Sequence, residues 1–542
     1  MNVQILIARV LLVIALILIV INIASYSSSP EIIGQALLEN NGSCNIVFEE
    51  INRTAEYRFG GKSLSGTRIE TWYYMKGCRG EEIYVRVYRI QGHTPKHAII
   101  LIHDYGSNYL SLTSLALNLV DEKYLVVTLD LPYYDLTGRI KVLSKEPMSS
   151  WIYTATCNIM KAVTLIQKEY DLDKIGLLGI SFGGIAALLA TYYDERIDYV
   201  VSIGGLGGYV ESIEKASILN YYIEGIEDIN NCLDPLPLMK NIKKDVLLIM
   251  GSNDEVFPLD TNTLAELVRN KHISISIVPN SGHFRIPSLW EKVIHEFITS
   301  RELNSNGFGE SDVDVENTGF DILVEVNGNS SILVMHRPSI PGYPWSTSNL
   351  SSGKARFTYL LVPGEYFILK GDNYVLCKAL YTRESYGLII GLILFIIWLI
   401  LDRRILMSLR RLNWLEIIYG IVLVLLLTYP LYPAIWGVDR FHASLLQIAE
   451  TYLTYLPFVT YLITYSLYIQ PILFTYMIFR RSRKIYMLYL ALPIFTTVTS
   501  TTLILFLGSR FYYTPITIPT IPLLLVVVAM VMDYIFSETI PS

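Results

Sequence analysis

The chain has 542 residues, a formal net charge of only −6, 52% hydrophobic content and a mean hydropathy of +0.40. It is too long for one domain and too apolar for a purely soluble protein, so part of it is expected to sit in lipid. No basic stripe interleaved with aromatics occurs in the polar half, so nucleic acid is not an expected partner.

The first apolar stretch, Val3 to Ala24, is interrupted only by Gln4, Arg9 and Asn22. At about 1.5 Å per residue it is long enough to cross a ~30 Å hydrocarbon core. A secretory signal would carry a shorter apolar region and a small-x-small cleavage site. Ala24-Ser25-Tyr26 offers a poor one, so residues 1–26 read as an uncleaved anchor in preference to a signal peptide. Arg9 near the start keeps the N-terminus cytoplasmic and sends the following chain outward. Residues 27–66 form a polar arm with a Ser27-Ser28-Ser29-Pro30 linker and sequons at Asn41 and Asn52; further sequons stand at Asn329 and Asn349.

From Arg68 the pattern changes to strands: Ile69 to Met75, Ile83 to Ile90 with alternating Val85 and Val87, and the buried run Ala98 to Ile102. The third run ends in His103-Asp104-Tyr105-Gly106-Ser107, and the next, Tyr124 to Leu129, ends in Asp130-Leu131-Pro132. A helix from about Ser150 to Tyr170 leads to the strand Ile175 to Leu178 and then to Gly179-Ile180-Ser181-Phe182-Gly183. That stretch reads as a sharp strand-to-helix turn presenting a serine hydroxyl, with flanking glycines where a Cβ would collide. Strands Tyr199 to Ile203, Asp245 to Met250 and Ile273 to Val278 follow. An insertion, Gly204 to Lys240, is placed to roof a pocket. The last two strands end in Gly251-Ser252-Asn253-Asp254-Glu255 and Asn280-Ser281-Gly282-His283, before a final helix ending near Ser300. Alternating strands and helices call for a mostly parallel, helix-covered sheet.

Acyl transfer needs a hydroxyl made nucleophilic by a base, a carboxylate to orient that base, and N–H donors for the tetrahedral oxyanion. Ser181, His283 and Asp254 supply the first three, each at the carboxyl edge of the sheet. Glu255 competes with Asp254 as the orienting acid. The backbone N–H groups of Tyr105 and Phe182 are the expected oxyanion donors. His103 reads as structural or supporting, and Asp130 as a carboxylate that caps a loop by accepting nearby backbone N–H groups.

Gly179 to Gly183, the run Asp245 to Asp254, and Asn280-Ser281-Gly282-His283 resemble the α/β-hydrolase superfamily, above all its dienelactone-hydrolase-like and prolyl-oligopeptidase-like catalytic domains. The resemblance covers residues 67–302 and implies a Ser181-Asp254-His283 triad in that chain order. It implies a serine hydrolase, esterase-like, with peptidase activity and acyl transfer to a lipid or glycan as alternatives. A noncatalytic surface receptor or transporter is the non-enzyme alternative. Members often have His-Gly-x-Gly where this chain has His103-Asp104-Tyr105-Gly106, which puts a carboxylate beside the expected oxyanion hole.

The five cysteines, Cys44, Cys78, Cys157, Cys232 and Cys377, all fall in the segment placed outside. Cys44 with Cys78 and Cys157 with Cys232 are candidate pairs, with buried free thiols as an equal alternative. Neither a cofactor motif nor metal-ligand spacing is present in the sequence. Residues 303–383 read as a linker and a small β-sandwich-like domain, a spacer in which Trp345 keeps glycan binding open.

Residues 384–542 hold five apolar spans: Tyr386 to Leu401, Leu415 to Trp436, Tyr452 to Phe479, Ile485 to Leu507 and Ile518 to Phe536. Arg403, Arg404, Arg410 and Arg411 mark one connecting loop as cytoplasmic, and Arg480, Arg481, Arg483 and Lys484 another. With the anchor this gives six crossings, cytoplasmic termini, and the hydrolase and β regions outside. Glu416, Glu450 and Asp533 lie near span ends, where each reaches the interface.

The reading from sequence is thus an α/β-hydrolase domain, a small β-sandwich-like domain and an α-helical transmembrane bundle. Its expected partners are the lipid bilayer and a small-molecule acyl substrate.

Overall fold

The computed structural model describes residues 55–131, 142–144, 147–208, most of 233–300, most of 313–394, and the short pieces 432–436, 439–443 and 516–517. The expected anchor, the arm up to residue 54, the insertion from 209 to 232 and nearly all of the five apolar spans lie outside these residues.

The expected strands and helices form in the predicted order. They are β1 (Tyr57–Ser65), β2 (Arg68–Lys76), β3 (Glu82–Ile90), β4 (His97–Ile102), α1 (Thr113–Leu119), β5 (Tyr124–Leu129), α2 (Trp151–Glu169), β6 (Lys174–Ile180) and α3 (Phe182–Tyr193). After these come β7 (Tyr199–Ile203), α4 (Pro235–Met239), β8 (Asp245–Gly251), α5 (Thr261–Leu267), β9 (Ile273–Val278) and α6 (Leu289–Ser300). One sheet runs β1-β2-β3-β5-β4-β6-β7-β8-β9 through this region. It is antiparallel as far as β3–β5 and parallel from β5 to β9.

The parallel strands are continuous apolar runs because both faces are covered. In β6, Ile175 and Leu177 enter a core shared with α2, α3, α4 and α5, whereas Leu178 enters the opposite core with Ala116 of α1 and Phe297 of α6. Each fully buried Ile, Leu or Val contributes roughly 1.5–3 kcal/mol, so these two layers fix which strand edge carries the loops.

Three features differ from the sequence reading. The end of the supposed polar arm is strand: β1 pairs with β2 across the two-residue loop Gly66-Thr67, with Gly66 at φ +60. It was hidden because, as an edge strand, it is largely exposed and has no alternating buried face.

The small β region does not stand apart either. Its strands are β10 (Val313–Asn317), β11 (Asp321–Val326), β12 (Ile332–Pro338), β13 (Ser346–Leu350), β14 (Gly353–Thr358), β15 (Gly364–Lys370) and β16 (Val375–Thr382). β16, β15, β12 and β13 continue the main sheet beyond β9 to give 13 strands, joined where Val375 pairs with Ser276 and Ile277 N–H donates to Tyr374 O at 3.0 Å. β10, β11 and β14 make a separate sheet, and Ile322 and Val324 share a core with Val334 and Ile368.

The third difference concerns the span Leu415 to Trp436, whose last residues are extended. β17 (Tyr432–Trp436) pairs with β18 (Asp439–Ala443) and β19 (Ile516–Thr517). Pro433 lacks the N–H a helix would use, which an apolar count alone does not weigh. Residues 389–394 are helical; among the described residues no helix is long and apolar enough to cross a membrane.

Candidate active site

Ser181 stands between β6 and α3 at φ +55, ψ −125, a conformation that costs a non-glycine residue about 1–3 kcal/mol. The surroundings enforce it. Ser181 N–H donates to Ile203 O at 2.7 Å, and Ile185 N–H donates to Ser181 O at 3.2 Å. A Cβ on Gly179 would meet the Gly183 carbonyl, and one on Gly183 would meet the His103 carbonyl, so the turn closes only with glycine at both positions.

The loops after β8 and β9 bring two more side chains to this hydroxyl. Ser181 Oγ lies 2.8 Å from His283 Nε2, and His283 Nδ1 lies 2.8 Å from Asp254 Oδ2. Nδ1–H donates to the carboxylate, which leaves Nε2 free to accept the serine proton. The second carboxylate oxygen, Asp254 Oδ1, accepts the N–H groups of Val256 and Phe257 at 2.9 and 2.7 Å. All three residues are buried, at 2%, 3% and 4% exposure for Ser181, His283 and Asp254. Phe257 packs against both Phe182 and the His283 ring, at centroid distances of 5.5 and 5.8 Å. The structure therefore brings Ser181, His283 and Asp254 into one hydrogen-bonded line; Glu255 lies outside the described residues.

Tyr105 and Phe182 also converge, but on a protein group. Tyr105 N–H donates to Asp104 Oδ1 at 2.7 Å, Phe182 N–H donates to the same carboxyl group, and the Ser181 hydroxyl, whose single proton goes either to that carboxyl or to His283 Nε2, lies against it. Burial pushes the Asp104 carboxyl up to about 6, against the lowering effects of His283 and of these donors.

His103 sits behind that loop. Its Nδ1–H donates to Asp104 O at 2.7 Å, and its Nε2 accepts from Leu131 N–H at 3.0 Å. Burial lowers its pKa to about 4, so the ring is neutral and ties the ends of β4 and β5 together. Asp130 accepts the Tyr109 N–H at 3.4 Å, the contact of a loop-capping carboxylate.

Cys78 is paired with Cys157, which overturns both pairings suggested from sequence. The loop after β2 crosses to α2, and Asn158 holds it there by accepting Cys78 N–H and donating to Glu81, each at 2.8 Å. Cys377 is a half-buried free thiol whose pKa burial raises to about 12. Among the described residues no group of three His, Cys, Asp or Glu side chains is arranged to hold a metal ion.

Trp345, which kept glycan binding open in the sequence, is 4% exposed. Its indole Nε1–H donates to Ser252 O at 3.2 Å, within the loop that carries Asp254. Sequence reasoning gave it no part in the site because it lies 93 residues from Ser252. The departure of His103-Asp104-Tyr105-Gly106 from His-Gly-x-Gly did signal Asp104.

No curated protein matches the chain. Acetyl xylan esterase 1 from Thermoanaerobacterium sp. JW/SL YS485 is similar over 48% of this chain and 96% of its own, at 19% identity and a TM-score of 0.37. Acetyl xylan esterase from Paenibacillus sp. R4 covers 51% and 98%, at 16% identity and a TM-score of 0.36. Pyrococcus horikoshii acylaminoacyl peptidase covers 45% of this chain and 49% of its own, at 16% identity and a TM-score of 0.35. Residues 97–222 match a protein family described as alpha/beta hydrolase fold, and the described strands, in the parallel order β5-β4-β6-β7-β8-β9, have that fold.

Proposed function

We propose that the protein is a membrane-tethered, extracytoplasmic serine hydrolase that cleaves an ester, thioester or small amide through an acyl-enzyme on Ser181. The observation that carries this is the unbroken line from Ser181 Oγ through His283 to Asp254, with 2.8 Å at each step. Ser181 Oγ attacks the acyl carbonyl while its proton passes to His283 Nε2. The imidazolium, held by the Asp254 carboxylate, then returns that proton to the leaving alcohol, thiol or amine. Water repeats the sequence on the acyl-enzyme and releases the carboxylic acid. The backbone N–H groups of Tyr105 and Phe182 stabilise the tetrahedral oxyanion once the Asp104 carboxyl gives way.

The tether and the outside location rest on the apolar spans and their arginine-rich loops in the sequence. Two further features support them. Cys78–Cys157 is a bond that persists in oxidising compartments, and exposed Tyr386, Ile389, Leu392 and Ile393 lie where the first C-terminal span begins.

The test is fluorophosphonate labelling of the full chain in detergent, beside Ser181→Ala and His283→Ala. Labelling of the wild type, lost in both folded variants, is the expected result. A folded wild type that takes no label would overturn the hydrolase reading.

A further inference from the structure

Three non-glycine residues in the described structure have positive φ: Ser181, Asn280 and Tyr374. Ser181 is the candidate nucleophile. Asn280, at φ +52, begins the loop that delivers His283, and Tyr374 stands where the main sheet meets β16. Backbone strain of this kind survives only where neighbours over-determine it. At Asn280 the neighbours are identifiable.

Asn280 N–H donates to Ser252 Oγ at 2.7 Å, linking the loop of His283 to the loop of Asp254. Trp345, just before β13, closes this link from outside. Its backbone N–H donates to Asn280 Oδ1 at 3.2 Å, Asn280 Nδ2 donates to Trp345 O at 3.3 Å, and the indole Nε1–H donates to Ser252 O at 3.2 Å. The ring is itself held by Phe367, at 4.8 Å between centroids, and by the Arg337 guanidinium, 4.5 Å from its centre. Arg337 is fixed in turn by Glu365 at 3.0 Å.

We propose that Trp345 is a positioning residue for the Ser181-His283-Asp254 line, locking the acid and histidine loops in register from the β12–β13 end of the sheet. The proposal rests on the nucleophile reading of Ser181 and assigns a role to residues 313–382, which the sequence leaves as a spacer. Ser252 is two residues from Asp254 and Asn280 three from His283, so a shift of either loop alters a hydrogen bond of the line. Displacement of a reacting group by about 1 Å can cost 10²-fold in rate, so loss of the clamp is expected to slow the reaction of Ser181.

The experiment uses the full chain in detergent with two variants. Trp345→Phe keeps the ring in its packed site and removes the indole donor. Asn280→Gly keeps the left-handed backbone and removes both side-chain bonds to Trp345. Each is measured for thermal midpoint, for the rate of fluorophosphonate labelling, and for the downfield proton resonance of His283 Nδ1–H.

Both variants are expected to fold, to label about tenfold or more slowly than wild type, and to broaden or shift the resonance. Unchanged resonance and labelling within twofold of wild type in both would overturn the clamp, as would absence of the resonance from the wild type. A wild type that shows the resonance but takes no label would instead sink the nucleophile reading. The resonance in the two variants would then still decide the clamp.

Discussion

Tyr105 N–H donates to the carboxyl group of Asp104 at 2.7 Å, and the same carboxyl group receives Phe182 N–H. In the proposed reaction those two donors are the ones that would meet the substrate's oxyanion. Two negative charges about 4 Å apart repel by about 4 kcal/mol at an effective dielectric of 20, so the Asp104 carboxylate competes with the transition state. Asp104→Gly, which gives the His-Gly-x-Gly pattern of the hydrolases the sequence resembles, is therefore expected to raise kcat/KM on p-nitrophenyl acetate by about tenfold or more, roughly 1.4 kcal/mol in the barrier. Asp104→Asn should gain less, because its amide still fills the hole. A fall in kcat/KM in both variants would make Asp104 a working group and not a competitor.

The pH dependence of stability follows from the same carboxyl. Burial raises its pKa from 3.8 to about 6 in the folded chain. Between those values the folded state holds a proton that the unfolded state has lost, so stability falls as pH rises through that window. Above about 6 the loss is complete. Asp104→Asn has no such group, so the difference in thermal midpoint between variant and wild type should widen from about pH 4 to about pH 6 and then level. Parallel midpoint curves for the two proteins would contradict the raised pKa.

The legible part of this site is what backbone rules dictate. Ser181 stood out because a sharp turn between a buried strand and a small-residue helix demands glycines at fixed offsets, and Asp254 and His283 because each follows an apolar strand run. The contacts that support them depend on long-range pairing. Nothing local distinguishes Trp345 as a donor to Ser252. Cys78 met Cys157 because the loop after β2 lies against α2, a relationship set by sheet order that no cysteine spacing encodes. The edge strand β1 escaped notice for a different reason: with little of it buried, it carries no hydrophobic period.

The Cys78–Cys157 bond spans 79 residues, and its Cα atoms are 6.2 Å apart, within the usual range for a disulfide. Closing a loop of that length restricts the unfolded chain by about 4.5 kcal/mol in the chain-entropy account. The native geometry has a second fastening, since Asn158 binds both Cys78 N–H and Glu81. Cys78→Ser with Cys157→Ser should therefore lower the thermal midpoint clearly while leaving specific activity at 25 °C within about twofold. An unchanged midpoint would show that the bond does not contribute to stability in the isolated protein.

Asp254→Asn separates orientation from mere hydrogen bonding. In the native chain Oδ2 accepts His283 Nδ1–H, while Oδ1 accepts Val256 and Phe257 N–H. An amide can satisfy the two backbone donors only by turning its oxygen to them, which points its NH2 at His283. The imidazole must then accept at Nδ1 and carry its proton on Nε2, where it can no longer take the proton of Ser181. A fall in kcat of roughly 10⁴-fold is expected, with KM changed little and the thermal midpoint near wild type. Asp254→Ala should lose comparable activity and also lower the midpoint, because the two loop N–H groups lose their acceptor. Activity retained in Asp254→Asn but lost in Glu255→Gln would transfer the orienting role to Glu255.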